Sequence, residues 1–313
     1  MAVLKLKPSF KDYIWGGRKL IEKYNKEYDG EILAESWELS CHKDGYSYIA
    51  QGEYAGKTLA EYIEERGKAV LGTSCERFED FPILIKLIDA KKNLSVQVHP
   101  NNEYALKNEG QYGKTEMWYI VECEPNARLY HGFKREVSKA EFEERIKENT
   151  LTEVLNAVPV KKGDVFFIEA GTIHAIGADI LIAEIQQNSN VTYRVYDYGR
   201  KGADGNEREL HIDKAVEVTE RVPPMNKGFA PDIASCEYFT VDKLYLDGET
   251  VSKIAGMVTY KSFVSILVLD GEGIITNDGR SLSFKKGDSL FLTAGSGAYE
   301  INGSCEALVT TIK

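Results

Sequence analysis

Three residues of types that bind metal ions lie beside short apolar segments of this chain. His99 ends the segment Ser-Val-Gln-Val-His, and His174 follows a longer segment that begins at Gly163. Between them, Glu116 opens the apolar stretch Glu-Met-Trp-Tyr-Ile-Val. Imidazole and carboxylate groups are ligands that divalent transition metals take in proteins. If the three segments are strands of one β-barrel, these side chains converge on a single cation, and the sequence predicts a metal enzyme.

The residues two positions before His99 and Glu116 are polar as well. Because side chains alternate between the two faces of a strand, Gln97 shares a face with His99, and Lys114 shares a face with Glu116. Gln97 is therefore a candidate fourth ligand, with a hydrogen bond that orients His99 as the alternative. The alternative for Glu116 is an ion pair with Lys114 or another lysine. The ligand types suit zinc with an open coordination position, and they also suit Fe(II).

The composition indicates a folded protein, because 43% of the 313 residues are hydrophobic and 28% are charged. The length favours two domains. A formal charge of −10 argues against nucleic acid as a partner but allows a small anionic substrate. No apolar run is long enough to cross a bilayer or to form a secretory signal, so we expect a cytoplasmic location. Five scattered cysteines without a Cys-x-x-Cys pair predict neither disulfides nor a thiolate zinc site.

Short runs rich in Val, Ile, Phe and Tyr, separated by Gly and Asp turns, predict an all-β chain. Two segments predict helices instead, residues 58–66 and residues 138–157. Each begins with a Ser or Thr that is followed three residues later by Glu, a capping pattern. A Pro-Pro-bearing stretch at residues 221–228 is the best candidate linker. It divides the chain into an N-terminal domain, residues 1–228, and a C-terminal domain, residues 229–313.

A Lys-Lys-Gly-Asp turn occurs twice, at residues 161–164 and residues 285–288. Each copy precedes an apolar strand and an Ala-Gly pair. Where the first copy then has His174, the second has Ala298. A repeat of this length and order predicts two barrels of one kind. The N-terminal barrel would hold the metal site, and the C-terminal barrel would be a degenerate copy without metal ligands.

The segment from Gly163 to His174 resembles the second sequence motif of the cupin superfamily, with Glu169 in place of the usual proline. Three further segments narrow the resemblance: Gln-Val-His-Pro at residues 97–100, Lys-Thr-Glu-Met at residues 114–117, and Asn-Val-Thr-Tyr-Arg-Val-Tyr-Asp at residues 190–197. With them, the chain resembles the short bacterial form of the type I phosphomannose isomerases over nearly its whole length. Enterobacterial members have a histidine where this chain has Gly113, so no role of that histidine carries over.

The resemblance implies an all-β fold of two cupin-like, jelly-roll barrels with minor helices. It implies one zinc ion per chain, with four ligands: Gln97, His99, Glu116 and His174. The implied activity is the interconversion of mannose 6-phosphate and fructose 6-phosphate through an enediol, in which a divalent cation stabilises the developing oxyanion. The resemblance also puts Arg194 in the substrate cleft, where a guanidinium stabilises an enediolate or grips phosphate. An ion pair between Arg194 and Asp197 is the alternative.

Three further residues are candidates for substrate contacts. Lys114 either contacts the substrate or, with its pKa lowered near the metal, shuttles the proton. Lys86 lies between apolar residues on a strand that reads as buried, so it needs an anionic partner. That partner is either the sugar phosphate or a carboxylate in a structural ion pair. Trp15, beside two glycines, either lines the sugar site or packs in the core.

Two other functions fit the same pattern. One is an Fe(II) cupin dioxygenase that acts on a small acid, and the other is a non-catalytic protein that binds sugar phosphates. The positive charge of Lys86, Lys114 and Arg194 favours a phosphorylated substrate, and the complete ligand set favours an enzyme. We expect a small sugar phosphate as partner, neither nucleic acid nor a membrane, and a monomer or weak homodimer. The other three histidines lie outside the predicted metal site: His42, His131 and His211.

Overall fold

The computed structural model describes residues 3–201, 205–225 and 227–313, and strands dominate them, which confirms the all-β prediction. The strands before residue 197 are β1 (Val3–Lys7), β2 (Ser9–Lys11), β3 (Glu35–Leu39), β4 (Cys41–His42), β5 (Gly45–Tyr46), β6 (Tyr48–Ile49), β7 (Ile83–Ala90), β8 (Val96–Val98), β9 (Glu116–Cys123), β10 (Arg128–Phe133), β11 (Leu155–Pro159), β12 (Val165–Ile168), β13 (His174–Ala175), β14 (Ile180–Gln187) and β15 (Tyr193–Tyr196). The later strands are β16 (Ala234–Ser235), β17 (Thr240–Leu246), β18 (Lys253–Val258), β19 (Val264–Asn277), β20 (Arg280–Lys285), β21 (Ser289–Leu292) and β22 (Gly297–Thr311).

The helices are short and lie mostly in the N-terminal part. They are α1 (Lys19–Lys23), α2 (Leu59–Arg66), α3 (Asn102–Asn108), α4 (Lys139–Lys147) and α5 (Ile212–Val218). Three 3₁₀ turns accompany them: Lys68–Leu71, Thr73–Cys75 and Leu151–Glu153. Among the described residues, no helix combines the length and the hydropathy needed to span a membrane.

Two antiparallel sheets build the first barrel. The order β12-β9-β14-β7-β3-β2 forms one sheet, and the order β11-β10-β13-β8-β15 forms the other. An apolar cluster joins them, since Ile88, Trp118 and Ile182 of the six-stranded sheet pack with Leu129 and Ile176 of the other side. Burying such side chains between two sheets is what makes this pairing stable.

Strand β9 is buried on both faces, and this decides where Glu116 points. Trp118 and Ile120 belong to the cluster between the two sheets of the first barrel. Tyr119 and Val121 belong instead to a second cluster that includes residues of the C-terminal part. Because side chains alternate along a strand, Glu116 shares the face of Trp118 and lies in the first barrel.

The second barrel is a nine-stranded sheet that also takes in the beginning of the chain. Its main path runs β16-β17-β22-β19-β21-β1-β6, with β18 paired to β22 and β20 paired to β19. In the β1–β21 pair, Val3 lies opposite Leu292. The predicted boundary at residue 228 assigns β1 to the N-terminal domain. In the structure, β1 pairs with β21 and so belongs to the C-terminal sheet. The predicted linker includes residue 226, which lies outside the described residues.

The two Lys-Lys-Gly-Asp segments form the same turn. Asp164 accepts a hydrogen bond from the backbone N–H of Lys161 at 2.9 Å, and Asp288 accepts one from that of Lys285 at 2.8 Å. The glycine of each turn has positive φ, 91° in the first copy and 87° in the second, a conformation that favours glycine. Strands β12 and β21 follow these turns, so the sequence repeat corresponds to a structural repeat.

One predicted helix is confirmed and the other is wrong in its second half. Helix α2 begins at the predicted capping box, in which the Thr58 side chain and the Glu61 side chain each bond to the other's backbone N–H. Helix α4 begins after Ser138 but ends at Lys147, not near residue 157. Asn149 has a φ of 56°, and the chain then turns into β11, which pairs with β10. The apolar side chains along this segment are buried, but the 3₁₀ turn and β11 hold Leu151 and Leu155, and only Phe142 and Ile146 lie on the helix.

Candidate active site

The structure brings together three of the four predicted metal ligands. His99 lies just after β8, Glu116 opens β9 and His174 opens β13, so both sheets of the first barrel contribute. One ligand atom from each residue lies within 4.8 Å of the others, and all three side chains are buried. Nε2 of His174 is 3.4 Å from Oε1 of Glu116, and Nε2 of His99 is 3.7 Å from Oε2. The three side chains form one compact group.

Both histidines are neutral and turn an unprotonated nitrogen toward Glu116. Nδ1 of His99 lies 2.8 Å from the carbonyl oxygen of Val191, and Nδ1 of His174 lies 2.8 Å from that of Thr172. Since a carbonyl oxygen only accepts, each Nδ1 must donate, which leaves Nε2 with its lone pair. Burial lowers the pKa of His174 to about 3 and the pKa of His99 well below its ordinary value. This is the form of imidazole that binds metals.

The Glu116 carboxylate is fully buried and, within the described residues, neither of its oxygens accepts a hydrogen bond. Nε2 of His99 is equally without a partner there. Burial raises the pKa of Glu116 to about 7, against the effect of Lys114, whose Nζ lies 3.3 Å from Oε2. Oε2 of Glu116 thus has the Lys114 ammonium as an ion-pair partner. Buried polar atoms without partners cost free energy, and a bound cation would supply one for Oε1 of Glu116 and Nε2 of His99. The residues present therefore fit a metal ion.

Gln97 lies next to this group on β8, where it is paired in register with His174 on one side and Arg194 on the other. Its Nε2 is 3.3 Å from Nε2 of His174. Rotating the amide by 180° exchanges Nε2 for Oε1, so the same side chain can present an oxygen to a cation. The hydrogen bond of Gln97 goes to His174 and not to His99, whose ring is oriented by the Val191 carbonyl, and the ligand role of Gln97 stays a prediction.

A cavity of about 270 Å³ opens beside the three ligands, and every other predicted site residue lines it. The lining comprises Tyr13, Trp15, Glu35, Lys86, Ile88, Leu94, Ser95, Gln97, Lys114, Ile176, Glu184, Asn190, Thr192, Arg194 and Arg208. A larger cleft of about 1000 Å³ lies between α2, the 3₁₀ turns after it and the loop at residues 110–112. None of the predicted site residues lines that cleft, so size alone does not locate the chemistry.

Lys86 finds its anionic partners within the protein. Its Nζ lies 3.2 Å from Oε1 of Glu184 and 3.7 Å from Oε2 of Glu35, and Lys86 is only 3% exposed. Each carboxylate also accepts a hydrogen bond from an indole, Glu184 from Trp118 at 2.8 Å and Glu35 from Trp37 at 2.7 Å. Burial disfavours the ammonium, but the two carboxylates outweigh it and raise the pKa of Lys86. Lys86 is therefore a buried, permanently charged group in the cavity wall.

The sequence interpretation missed both carboxylates that hold Lys86. Glu184 is a charged residue inside the apolar strand β14, Ile-Leu-Ile-Ala-Glu-Ile. The same pattern, a charged residue inside an apolar strand, indicated Lys86 on β7. In the β7–β14 pair, the two residues lie directly opposite each other. A charged residue inside each of two apolar strands could thus have suggested the pair.

Arg194 lies on β15. The alternative role suggested by the sequence, an ion pair with Asp197, is not formed. Its Nη1 donates to the carbonyl oxygen of Glu209 at 2.9 Å, and its buried Nε has no partner within the described chain. The nearby Asp197 carboxylate bonds instead to Arg200 and Arg208. Arg208 was also missed by the sequence interpretation, although it lines the same cavity as Arg194.

Trp15 combines both of its predicted roles. It is 3% exposed and belongs to the apolar cluster between the sheets, yet it also lines the cavity. The other three histidines belong to other contacts in the described structure, as predicted. The ring of His42 accepts from the Asp44 N–H at 3.1 Å and contacts Gln111 at 3.2 Å. The ring of His131 bonds to the Phe167 carbonyl, and that of His211 accepts from the Arg194 N–H.

Comparison with known proteins covers nearly the whole chain. Residues 3–126 match the family described as phosphomannose isomerase type I, catalytic domain, and residues 232–312 match that described as mannose-6-phosphate isomerase, cupin domain. The chain is 38% identical to the mannose-6-phosphate isomerase ManA of Bacillus subtilis (strain 168), with 98% of each chain covered. It is 35% identical to the mannose-6-phosphate isomerase of Streptococcus mutans, with 95% of this chain and 94% of the relative covered.

Among solved structures, the crystal structure of mannose 6-phosphate isomerase from Bacillus subtilis matches with a TM-score of 0.90. The two proteins are 34% identical, and the match covers 99% of each chain. Both barrels are included, so the expected cupin-like architecture is confirmed.

Proposed function

Because the chain belongs to the type I phosphomannose isomerase family, we propose that it interconverts mannose 6-phosphate and fructose 6-phosphate in the cavity beside His99, Glu116 and His174. The observation that carries this proposal is the buried group itself. Two neutral imidazoles and a carboxylate without hydrogen-bond partners in the described chain border a cavity with basic walls. A metal-dependent aldose–ketose isomerase needs such a combination, with a cation site next to a place for an anionic sugar.

We assign one zinc ion per chain to this site, held by Gln97, His99, Glu116 and His174. The orphaned atoms of Glu116 and His99 and the unprotonated Nε2 atoms support the assignment. When bound, the ion supplies a Lewis acid that stabilises the negative charge of the enediolate, by several kcal/mol. Zinc is preferred to Fe(II) because the relatives over the full length are named isomerases and not oxygenases.

The protein groups must move a proton between C1 and C2 and hold the sugar in place. Lys114, beside Glu116, is our candidate for contacting the substrate and moving the proton. Lys86 is unsuited as a base, because two carboxylates keep it protonated; it serves as a cationic donor to a sugar oxygen. Trp15 forms an apolar wall against which a sugar ring can pack.

Arg194 binds the phosphate or stabilises the enediolate. The cavity wall contains four basic side chains, Lys86, Lys114, Arg194 and Arg208, but only two carboxylates, Glu35 and Glu184. Two further carboxylates lie behind this wall, Glu116 beside Lys114 and Asp197 beside Arg208, so Arg194 is the basic group of the wall without a carboxylate partner among the described residues. This guanidinium supports a phosphorylated sugar as the partner in preference to a neutral one.

Three finer points belong to the same proposal. The enzyme would work in the cytoplasm, where sugar phosphates are made and used, and without nucleic acid or membrane partners. It would act as a monomer or weak homodimer. Residues 1–228 would form the catalytic domain and residues 229–313 the degenerate barrel, with β1 as a strand lent to the second sheet.

A coupled assay tests the function. Purified protein should convert mannose 6-phosphate to fructose 6-phosphate, and it should consume no dioxygen with small acids. Tight binding of mannose 6-phosphate without conversion, in metal-replete protein, would favour the non-catalytic alternative. Iron-dependent dioxygen consumption would favour the cupin dioxygenase.

A further inference from the structure

Two arginines share a single carboxylate beside the cavity. Asp197 is 5% exposed and accepts hydrogen bonds from Nε and Nη2 of Arg208, at 2.7 and 2.6 Å, and from Nη2 of Arg200. Burial alone would raise the pKa of Asp197, but hydrogen bonds from Arg208 and Arg200 outweigh it and lower the pKa. The carboxylate is therefore ionised and committed to two guanidiniums, and Arg194 has no carboxylate partner within the described chain.

The backbone brings Arg208 to this position from well along the sequence. Lys201 and Glu207 form an antiparallel bridge, which places residues 200 and 208 side by side. Two hydrogen bonds then hold the segment after Arg208 against β15. The His211 N–H donates to the Arg194 carbonyl at 2.8 Å, and the Arg194 N–H donates to Nδ1 of His211 at 3.2 Å. The Asp197 carboxylate then fixes the direction of the Arg208 side chain.

The two arginines on Asp197 differ in what else they face. Arg200 directs its other nitrogens to the carbonyl oxygens of Asn93 and Asp197, and it does not line the cavity. Arg208 lines the cavity together with Arg194, and its Nη1 has no hydrogen-bond partner within the described residues. Because the cavity measures only about 270 Å³, the two guanidiniums face one small space. In agreement, the positive charge of Arg208 contributes, after burial, to lowering the pKa of Arg194.

We propose that Arg208 binds the substrate's phosphate together with Arg194, and that Asp197 is the positioning residue that aims Arg208. This inference rests on the proposed function, since it names the phosphate subsite of that cavity. Two guanidiniums held close together repel each other until an anion lies between them. A phosphate monoester dianion has the charge and the three free oxygens to satisfy both, and fork-shaped guanidiniums suit it better than ammonium groups.

The test compares Arg208→Gln with Arg200→Gln as the matched control. Arg208→Gln should raise the KM for mannose 6-phosphate and the Kd for inorganic phosphate by about 10- to 100-fold, the loss expected for one charge-assisted contact. Its metal content should stay at the wild-type level. Arg200→Gln removes the other guanidinium from Asp197 and should change both constants by less than about threefold. Arg208→Lys, which keeps the charge but not the fork, should recover part of the loss.

Asp197→Asn tests the positioning role. It should raise the same two constants, and the double variant Asp197→Asn/Arg208→Gln should be no worse than Arg208→Gln alone, because both changes remove one contact. Fully additive losses would contradict the assignment of Asp197. A Kd for phosphate within twofold of wild type in Arg208→Gln would overturn the inference.

The phosphate subsite can be tested even if the proposed isomerase activity is absent. If the wild-type protein does not isomerise mannose 6-phosphate, calorimetric titration with mannose 6-phosphate and with inorganic phosphate still measures the subsite. Weaker binding in Arg208→Gln than in Arg200→Gln would then support the phosphate subsite without the isomerase. Equal binding in both variants would reject it.

Discussion

Nε2 of His174 faces Oε1 of Glu116 at 3.4 Å, yet no hydrogen bond joins them. His174 donates from Nδ1 to a backbone carbonyl, so its Nε2 brings a lone pair to a carboxylate oxygen that also brings lone pairs. Two electron-rich atoms in a buried site repel each other unless a cation or a proton lies between them. This relationship is the strongest structural argument for a metal ion.

His174→Ala should abolish both metal retention and turnover, with activity reduced at least about 1000-fold, because an open site with too few ligands cannot hold zinc. Metal content by mass spectrometry and the coupled assay measure the two effects. His131→Ala is the matched control: His131 lies opposite His174 in register but bonds only to a backbone carbonyl. A His174→Ala protein with one equivalent of zinc and normal activity would remove His174 from the site.

Lys86→Met should cost about 3 to 5 kcal/mol of folding stability, because it leaves two buried carboxylates without their cation. It should also lose most of its activity. Lys86→Met/Glu184→Gln removes one of those carboxylate charges and should regain much of the stability but none of the activity. Urea denaturation and the coupled assay separate the two quantities. A stable double variant with wild-type activity would mean that Lys86 is a structural ion-pair partner only.

Arg194→Ala should keep its metal and lose about 100-fold or more in rate, since a half-buried guanidinium that faces developing or phosphate charge is removed. Zinc content measures whether the metal is retained, and kcat/KM measures the loss of rate. Unchanged kinetics would refute a role for Arg194 in the reaction.

Glu306 should make folding stability depend on pH, through its contacts with the first barrel. Burial alone would raise its pKa, but hydrogen bonds from Tyr119, Lys243 and Lys162 outweigh it and lower the pKa from 4.5 to about 2. A carboxylate with a lowered folded-state pKa stabilises the protein above its unfolded pKa, and this stability is lost as the pH falls from about 4.5 towards 2. Glu306→Gln should flatten that part of the profile.

Denaturation midpoints at pH 6 and pH 3.5 measure this effect. The wild-type protein should lose about 1 kcal/mol more than Glu306→Gln between the two pH values. Glu249→Gln, at an exposed turn of the second barrel, should behave like the wild type. Identical losses in all three proteins would show that Glu306 does not stabilise the contact between the barrels.

Strand periodicity was sufficient to predict which polar residues lie near one another in the first barrel. Alternation along short apolar runs put Gln97 with His99, and the Lys-Lys-Gly-Asp repeat marked the turn before the strand that leads to His174. These signals are local, since each depends on a few consecutive residues. In each turn, the Asp164 or Asp288 carboxylate accepts a hydrogen bond from a backbone N–H only three residues earlier. The turn therefore depends on its own sequence and not on distant contacts.

Contacts between distant segments could not be predicted in the same way. Residues 151–157 keep an apolar spacing compatible with a helix, and only the left-handed conformation of Asn149 and the pairing with β10 turn them into a loop and a strand. The pairing of β1 with β21 joins the two ends of the chain. Lys86 and Glu184 meet only because β7 and β14 are neighbours, so the sequence indicated a missing anion but not its identity.

The most direct measurement is metal content and mannose 6-phosphate turnover on the same sample, during chelation and after zinc is added back. Zinc and activity should disappear together and return together at about one equivalent per chain, and His174→Ala should recover neither. Metal-free protein that isomerises mannose 6-phosphate at the full rate would contradict the account.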